Sequence, residues 1–294
     1  MNPPDQTEAI KQLQRSCPVC GSGQGRVLHS QQFVAPDEFE TERAFDVTEC
    51  SACGMVFADT VVRQDVLDEL YRDHSKYADT STFATATPAV DPEFAGDAPD
   101  GETPPEAPWD LQRLEQTAEY LALAVPNRDT RVLDAGCATG ALLGFLGEHG
   151  FSALTGLDPS PIAVAAANRR HGINAVTGSF LDPPPGFGPF DVIVLSHVLE
   201  HVTDVQGAAS GLRSLLAPDG LVYVEVPDAS RYADHLVAPF HDFNTEHINH
   251  FSLPLLDRLL GNHGFEPIEE ETRTVLCSAN DEYPVALGLW KQTQ

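Results

Sequence analysis

Positive charge is what this sequence has least of: 17 Lys and Arg stand against 44 Asp and Glu in 294 residues, a formal net charge of −27. A surface of that sign repels a polyphosphate backbone instead of displacing its counterions, so nucleic acid is not an expected partner. Long apolar runs are missing too. Runs such as Val192 to Leu195 fall far below membrane-spanning length. The opening MNPPDQTEAIKQLQRS has neither the basic start nor the apolar stretch of a secretory signal. The expectation is a soluble, cytoplasmic protein without a membrane partner. An acidic linker and ordinary solvated faces account for the charge, a high-salt cytoplasm being the other source. There is no internal repeat beyond a duplicated cysteine knuckle, and nothing in the pattern fixes an oligomeric state.

What is present is enough apolar sequence, 42%, for one full core and a second small domain. From Ala78 to Pro108 the chain has no basic residue and is rich in Pro, Ala, Thr and acids, a composition that cannot bury enough surface to offset its ordering entropy. The expected division is therefore an N-terminal tail over 1–16, a cysteine module over 17–77, a linker over 78–108 and an α/β domain over 109–294. The linker's length lets the larger domain fold by itself.

The cysteine module rests on two CxxCG knuckles, Cys17-Pro-Val-Cys20-Gly21 and Cys50-Ser-Ala-Cys53-Gly54, with 29 residues between Cys20 and Cys50. Four thiolates at this spacing make a closed tetrahedral shell for zinc, and the trailing glycines permit the tight turn that aims backbone amides at sulfur. A pair of disulfides is the alternative, which a secreted domain would use. With all four positions filled by protein, the metal is structural and the module resembles a zinc ribbon.

Beyond the linker, Leu111, Leu114, Ala118, Leu121 and Val125 recur at helical spacing up to Pro126. Then β-rich runs alternate with helical ones: RVLDA, a helix over 140–149, ALTGLD, a helix over 160–171, NAVTG, DVIVLS, a helix over 204–216, and LVYVEV. This order predicts a parallel sheet with helical crossovers, although no helix is evident between NAVTG and DVIVLS. Ser252 can N-cap a helix running to Gly264, and RTVLCS and YPVALGLW can pair as a closing antiparallel hairpin.

Between the first strand and its helix lies Asp134-Ala135-Gly136-Cys137-Ala138-Thr139-Gly140, where Gly136 and Gly140 let backbone approach a ligand closely. The spacing is D-x-G-x-x-x-G and not G-x-G-x-x-G. S-adenosylmethionine has no phosphate for a helix N-terminus to hold but carries an ammonium and a sulfonium, which suits the carboxylate of Asp134. Asp158, ending the next strand, can accept bonds from both ribose hydroxyls. Gly178-Ser179-Phe180 follows the third strand, where Ser179 and the Phe180 ring could frame an adenine.

Over about 131–226 the sequence resembles the class I S-adenosylmethionine-dependent methyltransferases. VLDAGCATG is similar to their first motif, TGLDPS to their second, and DVIVLSHVLEHV with LLAPDGLVYVEVP to their fourth and fifth strands. Ala138 stands where many members have glycine. The resemblance implies a Rossmann-like domain with a mostly parallel sheet and an antiparallel closing strand, and it implies that Cys137 is a small loop residue, not a nucleophile.

Two histidine-bearing stretches leave the carboxyl ends of strands, where open α/β sheets bind ligands: Ser196-His197-Val198-Leu199-Glu200-His201, and His241 through Glu246-His247 to His250-Phe251-Ser252. Methyl transfer to carbon requires removal of a proton beside a carbonyl, and Glu246 and His247 offer a carboxylate and an imidazole together. Glu200 and His201 could instead merely precede and cap the helix opened by Thr203-Asp204. Glu246, His247 and His250 with His241 could instead hold a metal, although the order is not HExxH.

The whole combination over 17–77 and 109–294 resembles the zinc-containing sugar C-methyltransferases, which act on nucleotide-linked keto-deoxysugars. That resemblance implies a base and proton relay at Glu246 and His247 and an active-site histidine at His201, with His197 the other candidate. Asn244 stands at the position of that family's tyrosine. A diphosphate acceptor would need local cations, for which Arg231 and Arg43 are the candidates. The nearest alternative is an O-methyltransferase acting on a glycan, quinone or natural-product intermediate. A nicotinamide oxidoreductase and a non-catalytic adaptor are the remote ones.

Overall fold

The computed structural model describes residues 10–32, 44–60, 63–74, 108–236, 242–244, 246–276 and 282–293. The expected linker up to residue 107 lies outside them, as do Arg43 and His241. In chain order the elements are β1 (Lys11–Gln12), β2 (Gln24–Gln32), β3 (Ala44–Cys50), β4 (Val56–Asp59), α1 (Gln64–His74), α2 (Pro108–Ala124), β5 (Arg131–Ala135), α3 (Ala141–Glu148), β6 (Ala153–Asp158) and α4 (Pro161–His171). There follow β7 (Asn174–Thr177), β8 (Phe190–Ser196), α5 (Val205–Leu215), β9 (Leu216–Pro227), α6 (Tyr232–His235), β10 (Asn249–His250), α7 (Leu253–Asn262), β11 (Phe265–Leu276) and β12 (Glu282–Gln292). Among the described residues no helix is long and apolar enough to cross a membrane.

The larger sheet runs β11-β12-β9-β8-β5-β6-β7. Its five strands from β9 to β7 are parallel, and β12 lies antiparallel between β9 and β11. This is the expected mostly parallel Rossmann-like sheet with its closing hairpin. Strand order reverses at β5 and β8, so the ligand crevice opens above the carboxyl ends of those two strands. β12 is buried on both faces from Pro284 to Trp290, as an inserted strand must be, whereas the edge strand β11 exposes Glu266, Glu269, Glu270 and Glu271, whose charge discourages further strand addition.

Local chemistry sets the helix ends. Ser160 accepts from the Ala163 amide to start α4, which Gly172 closes at φ 62°, and Asp204 accepts from the Gly207 amide to start α5. Ser252 stands before α7, but its side chain makes no capping bond, and Pro254 in the first turn starts the helix instead. Residues 178–189 hold no helix. The triple proline 183–185 lacks the amide donors that a helical crossover needs.

The smaller sheet, β1-β2-β3-β4-β10, departs from the expectation of a self-contained module. Its fifth strand, β10, comes from the far end of the chain, with Asn249 paired to Phe57 and His250 to Val56. One apolar core runs through both parts: Leu13, Cys17, Val19, Met55 and Phe57 pack with Leu199, Val202, Phe251 and Leu256. Arg15 crosses the junction, donating to the carbonyls of Thr203 (2.9 Å) and Ile248 (3.3 Å) and to Asn249 Oδ1 (2.8 Å). Gln206 donates to the carbonyls of Pro18 (2.9 Å) and Val19 (2.8 Å), so the first knuckle is tied directly to α5.

Burial pushes the Arg15 pKa down to about 10, which still leaves it charged at neutral pH. Truncating this guanidinium orphans three acceptors at once. Arg15→Ala should therefore cost about 2–4 kcal/mol in denaturant unfolding. A loss below about 0.5 kcal/mol, the size of an ordinary surface change, would show the two parts to be energetically separate.

Candidate active site

The loop after β5 is shaped by backbone. The amides of Gly136 and Cys137 both donate to the Leu157 carbonyl, folding the loop onto the end of β6. Gly136 and Gly140 adopt φ of 89° and 85°, and Ala138 follows them into the left-handed region at 45°. A Cβ on Gly136 would meet Val198 at 2.7 Å, and one on Gly140 would meet the Ala167 Cβ at 2.9 Å, so each glycine admits a neighbouring element. Cys137 is buried here, and its thiol is pushed well up by that burial and by Asp134 and Asp158. That is not the state of a nucleophile.

Two buried carboxyls lie beside this loop. Asp158 accepts from the amides of Ala138 and Ser160, both at 2.8 Å, and burial raises its pKa against those bonds. Asp134 is raised to about 7, by burial first and then by Asp158, with Arg113 opposing. Ser179 Oγ accepts weakly from the Leu181 amide at 3.3 Å, and Phe180 is packed into the main core.

Sequence reasoning missed the wall on the other side. Arg113 on α2 donates to Asp110, to Ser196 Oγ (2.6 Å) and to Glu225 Oε1 (2.5 Å). Glu225 also accepts from Thr117, Tyr223 and Arg273, and the charges of Arg113, His197 and Arg273 keep its pKa down in spite of complete burial. Asp110, Arg113 and Thr117 share one helical stripe, a signal that was present beside the apolar one.

The histidines stand over β8 and β9. His197, at φ 54°, places Nδ1 3.2 Å from Glu200 and Nε2 3.6 Å from Glu225. Glu200 is no helix cap; Asp204 does that work, and Glu200 is 1% exposed. Burial pushes Glu200 up, but His197, His201 and His247 outweigh it and hold the pKa at about 2. His201 Nδ1 donates to the Glu246 carbonyl at 3.0 Å, and its ring lies 4.8 Å, edge-on, from that of His247. The structure thus brings His201, Glu246 and His247 together.

Their protonation differs by environment. Burial lowers the His201 pKa, with Glu200 opposing, whereas His247 is raised to about 9 because Asp242, Glu200 and Glu246 outweigh its burial. Asp242, a residue the sequence did not single out, accepts from Tyr232 (2.5 Å) and Tyr283 (2.8 Å) and faces His247 Nδ1 at 3.3 Å. Asn244 uses its side-chain oxygen to accept the amides of both Glu246 and His247 at 2.8 Å, fixing the turn that presents them. Two tyrosine hydroxyls therefore reach this cluster from other elements, although position 244 has none. His250 turns away into Tyr232 and Phe243, burial lowering its pKa to about 3. Arg231 is engaged with the Arg273 carbonyl and His235.

At the knuckles, the Cys17 and Cys53 sulfurs are 3.6 Å apart and those of Cys20 and Cys50 3.5 Å apart, with no disulfide among the described cysteines. All four sulfurs lie within 4.8 Å of one another. Four arms of about 2.3 Å to a tetrahedral centre would space sulfurs by just under 4 Å, so the set fits zinc.

Residues 105–270, more than half of the chain, match the family model of the methyltransferase domain. The chain belongs to this family. Among curated proteins it is 30% identical over 152 residues to the C-methyltransferase NovU of Streptomyces niveus, covering 49% of this chain and 34% of the relative. It is 32% identical over 116 residues to a ubiquinone biosynthesis O-methyltransferase of Xylella fastidiosa, covering 36% and 45%. The chain thus spans less than half the length of either relative. Among solved structures, the magnesium protoporphyrin IX methyltransferase ChlM of Synechocystis, with bound SAH, aligns at TM-score 0.51 and 17% identity over 63% of this chain and 84% of that one. The 4+2 cyclase SpnF aligns at TM-score 0.50 and 16% identity over 61% and 80%. These likenesses establish the fold alone, since that fold also serves a cyclase.

The buried Asp134 generates a pH signature. Its folded pKa of about 7 lies above the ordinary aspartate value of 3.8, so between these limits the folded protein retains a proton that the unfolded chain has released. The associated stability is complete below the lower value and is lost as pH rises through the upper one. In ligand-free protein, Asp134→Asn should therefore gain on wild type by roughly 2–3 kcal/mol between about pH 5 and pH 8. A stability difference that stays flat with pH would mean that Asp134 is ionised throughout.

Proposed function

We propose that this protein transfers the methyl group of S-adenosylmethionine to a small-molecule acceptor, the leading acceptor being a nucleotide-linked keto-deoxysugar methylated on carbon. The observation that carries the reading is the arrangement of two buried carboxyls, Asp134 and Asp158, beside the glycine loop, with the Glu246, His247 and His201 cluster at the same end of the sheet. One side suits a cationic cofactor and the other a proton that must leave.

On the cofactor side, Asp134 supplies negative charge toward the sulfonium and ammonium, and Gly136 and Gly140 allow close backbone approach. Asp158 has lone pairs left for the ribose hydroxyls beside its two amide bonds. Ser179 and Phe180 border the adenine end, Phe180 from within the core. When bound, S-adenosylmethionine supplies a methyl group already activated by its sulfonium. On the acceptor side, Glu246 takes the proton, while His247, charged by its neighbours, donates to the acceptor oxygen and stabilises the anion that forms. The acceptor's electron pair then makes the new bond to the methyl carbon, and sulfur keeps the pair of the bond that breaks.

Carbon methylation is supported by the likeness to NovU, whose match covers more of this chain than that of the ubiquinone O-methyltransferases. Oxygen methylation is the second reading, supported by those same O-methyltransferases and by a site that needs only one base for it. The glycine spacing argues against nicotinamide binding. The four cysteines hold one structural zinc, supported by their mutual spacing and free thiols.

Mass spectrometry of carefully purified protein should find one zinc per chain; a value well below one sinks the zinc reading. For the chemistry, Glu246→Gln and His247→Ala should each slow methyl transfer by roughly a hundredfold to ten-thousandfold with cofactor affinity retained in calorimetry. With a non-methylating cofactor analogue, the carbon reading further expects exchange of the proton beside the acceptor carbonyl with deuterated solvent, slowed in Glu246→Gln. Wild-type turnover in both variants would place the base elsewhere, and transfer without exchange would select the oxygen reading.

A further inference from the structure

Glu200 is a buried carboxylate whose two oxygens accept no hydrogen bond among the described residues, although His197 Nδ1 lies 3.2 Å from one of them. Burying an acid in that condition is costly without positive charge beside it, which the neighbouring histidines supply in the metal-free site and a bound cation would supply more directly. The residues around it are arranged to supply a place for one. His201 gives its Nδ1 proton to a carbonyl, which can only accept, and this puts the ring's lone pair on Nε2, the nitrogen 4.0 Å from Glu200 Oε1. His247 turns Nδ1 to the Asp242 carboxylate, and its Nε2, which carries a proton in the metal-free site, becomes a ligand when an incoming ion displaces that proton. A carboxylate or carbonyl behind each imidazole is the outer-shell arrangement that orients histidines toward metal ions. One donor atom from each of Glu200, His201 and His247 lies within 4.8 Å of the others.

The two segments that carry these donors are also locked to each other. The Ile248 amide donates to the Glu200 carbonyl at 2.9 Å, and Asn249 Nδ2 donates to the carbonyls of Leu199 (2.9 Å) and Val202 (2.7 Å). We propose that Glu200, His201 and His247 bind a first-row divalent cation such as Mn2+, Fe2+ or Co2+, a site separate from the four cysteines. Two imidazoles and one carboxylate favour these ions over Mg2+ or Ca2+, which prefer oxygen ligands. Donors about 2.1 Å from a shared ion sit roughly 3.0–3.4 Å apart, so binding draws them together by about 1 Å or less for the 4.0 Å pair. Three protein ligands leave coordination positions open. An acceptor oxygen taking one of them would have its charge stabilised by the ion, and that role, unlike the binding itself, rests on the proposed methyl transfer.

The test is a titration of Mn2+ into the zinc-loaded 294-residue chain, read as loss of the free-ion signal in electron paramagnetic resonance, without any acceptor. Mn2+ is chosen because thiolates hold it poorly, which keeps the cysteine module out of the measurement. The expected result is one Mn2+ per chain in wild type, bound at least tenfold more weakly in Glu200→Gln and in His201→Asn, with cofactor affinity in Glu200→Gln close to wild type as the check on folding. Absence of bound Mn2+ in wild type at millimolar concentration overturns the proposal. So does binding in Glu200→Gln equal to wild type. Failure of the proposed methyl transfer would instead appear as absent turnover with Mn2+ binding intact.

Discussion

Segment 246–250 is the constraint on which the cluster of Glu246, His247 and His201 depends. It carries Glu246 and His247, yet as a stretch of irregular chain with a two-residue strand it has little local structure of its own. It is held instead from outside: by β4 along one edge, by the carbonyls of Leu199, Glu200 and Val202 on another, and by Arg15 across Ile248 and Asn249. Asn249 is central because its amide donates into the 199–202 turn while its oxygen receives the Arg15 guanidinium. The cysteine module is therefore a buttress: it shapes the segment that carries the catalytic candidates without contributing a sulfur to their cluster.

Electrostatics divides the crevice in the same way. Near β5 and β6, Asp134 and Asp158 are two buried acids, and the raised pKa of Asp134 comes first from its burial and then from the Asp158 charge, with Arg113 opposing. Near β8 and β9, acids and imidazoles alternate, so Glu200 and Asp242 are held ionised while His247 is held protonated. A low-dielectric site magnifies both effects. The first region is short of a cation, and the second already carries one beside the place where negative charge would develop on an acceptor.

How far this was legible in the sequence depended on whether the signal was local. RVLDA matches β5 residue for residue, the helices over 140–149, 160–171 and 204–216 end within one residue of their expected bounds, and the closing hairpin is present, because periodicity and caps are written in neighbouring residues. The two knuckles and the D-x-G-x-x-x-G loop were legible for the same reason. Asp242, Tyr232 and Tyr283 were not, since their meeting depends on β12 inserting beside β9, a pairing of residues more than fifty positions apart. Nor could composition show that the module would borrow its fifth strand from residues 249–250. The acidic tract after residue 78 suggested independence, whereas the apolar faces of Met55 and Phe57 already needed a partner that the module's own sequence does not supply.

The two ends of the crevice consequently differ in how they can fail. Asp134, Asp158 and the glycine loop are placed by β5, β6 and their helices, whose hydrogen bonds run within the parallel sheet and involve no knuckle residue, although the shared apolar core touches both. Glu246, His247 and His201 are placed through Arg15, Gln206 and the β4–β10 pair, all of which lead back to the cysteines within a few residues. Loosening the module would first release the acceptor end, because opening proceeds through the least supported unit and not through the whole fold. A protein with its knuckles undone would then retain a structured glycine loop facing a loosened 246–250 segment, so a metal held by the cysteines would govern the geometry of that segment as much as the folding.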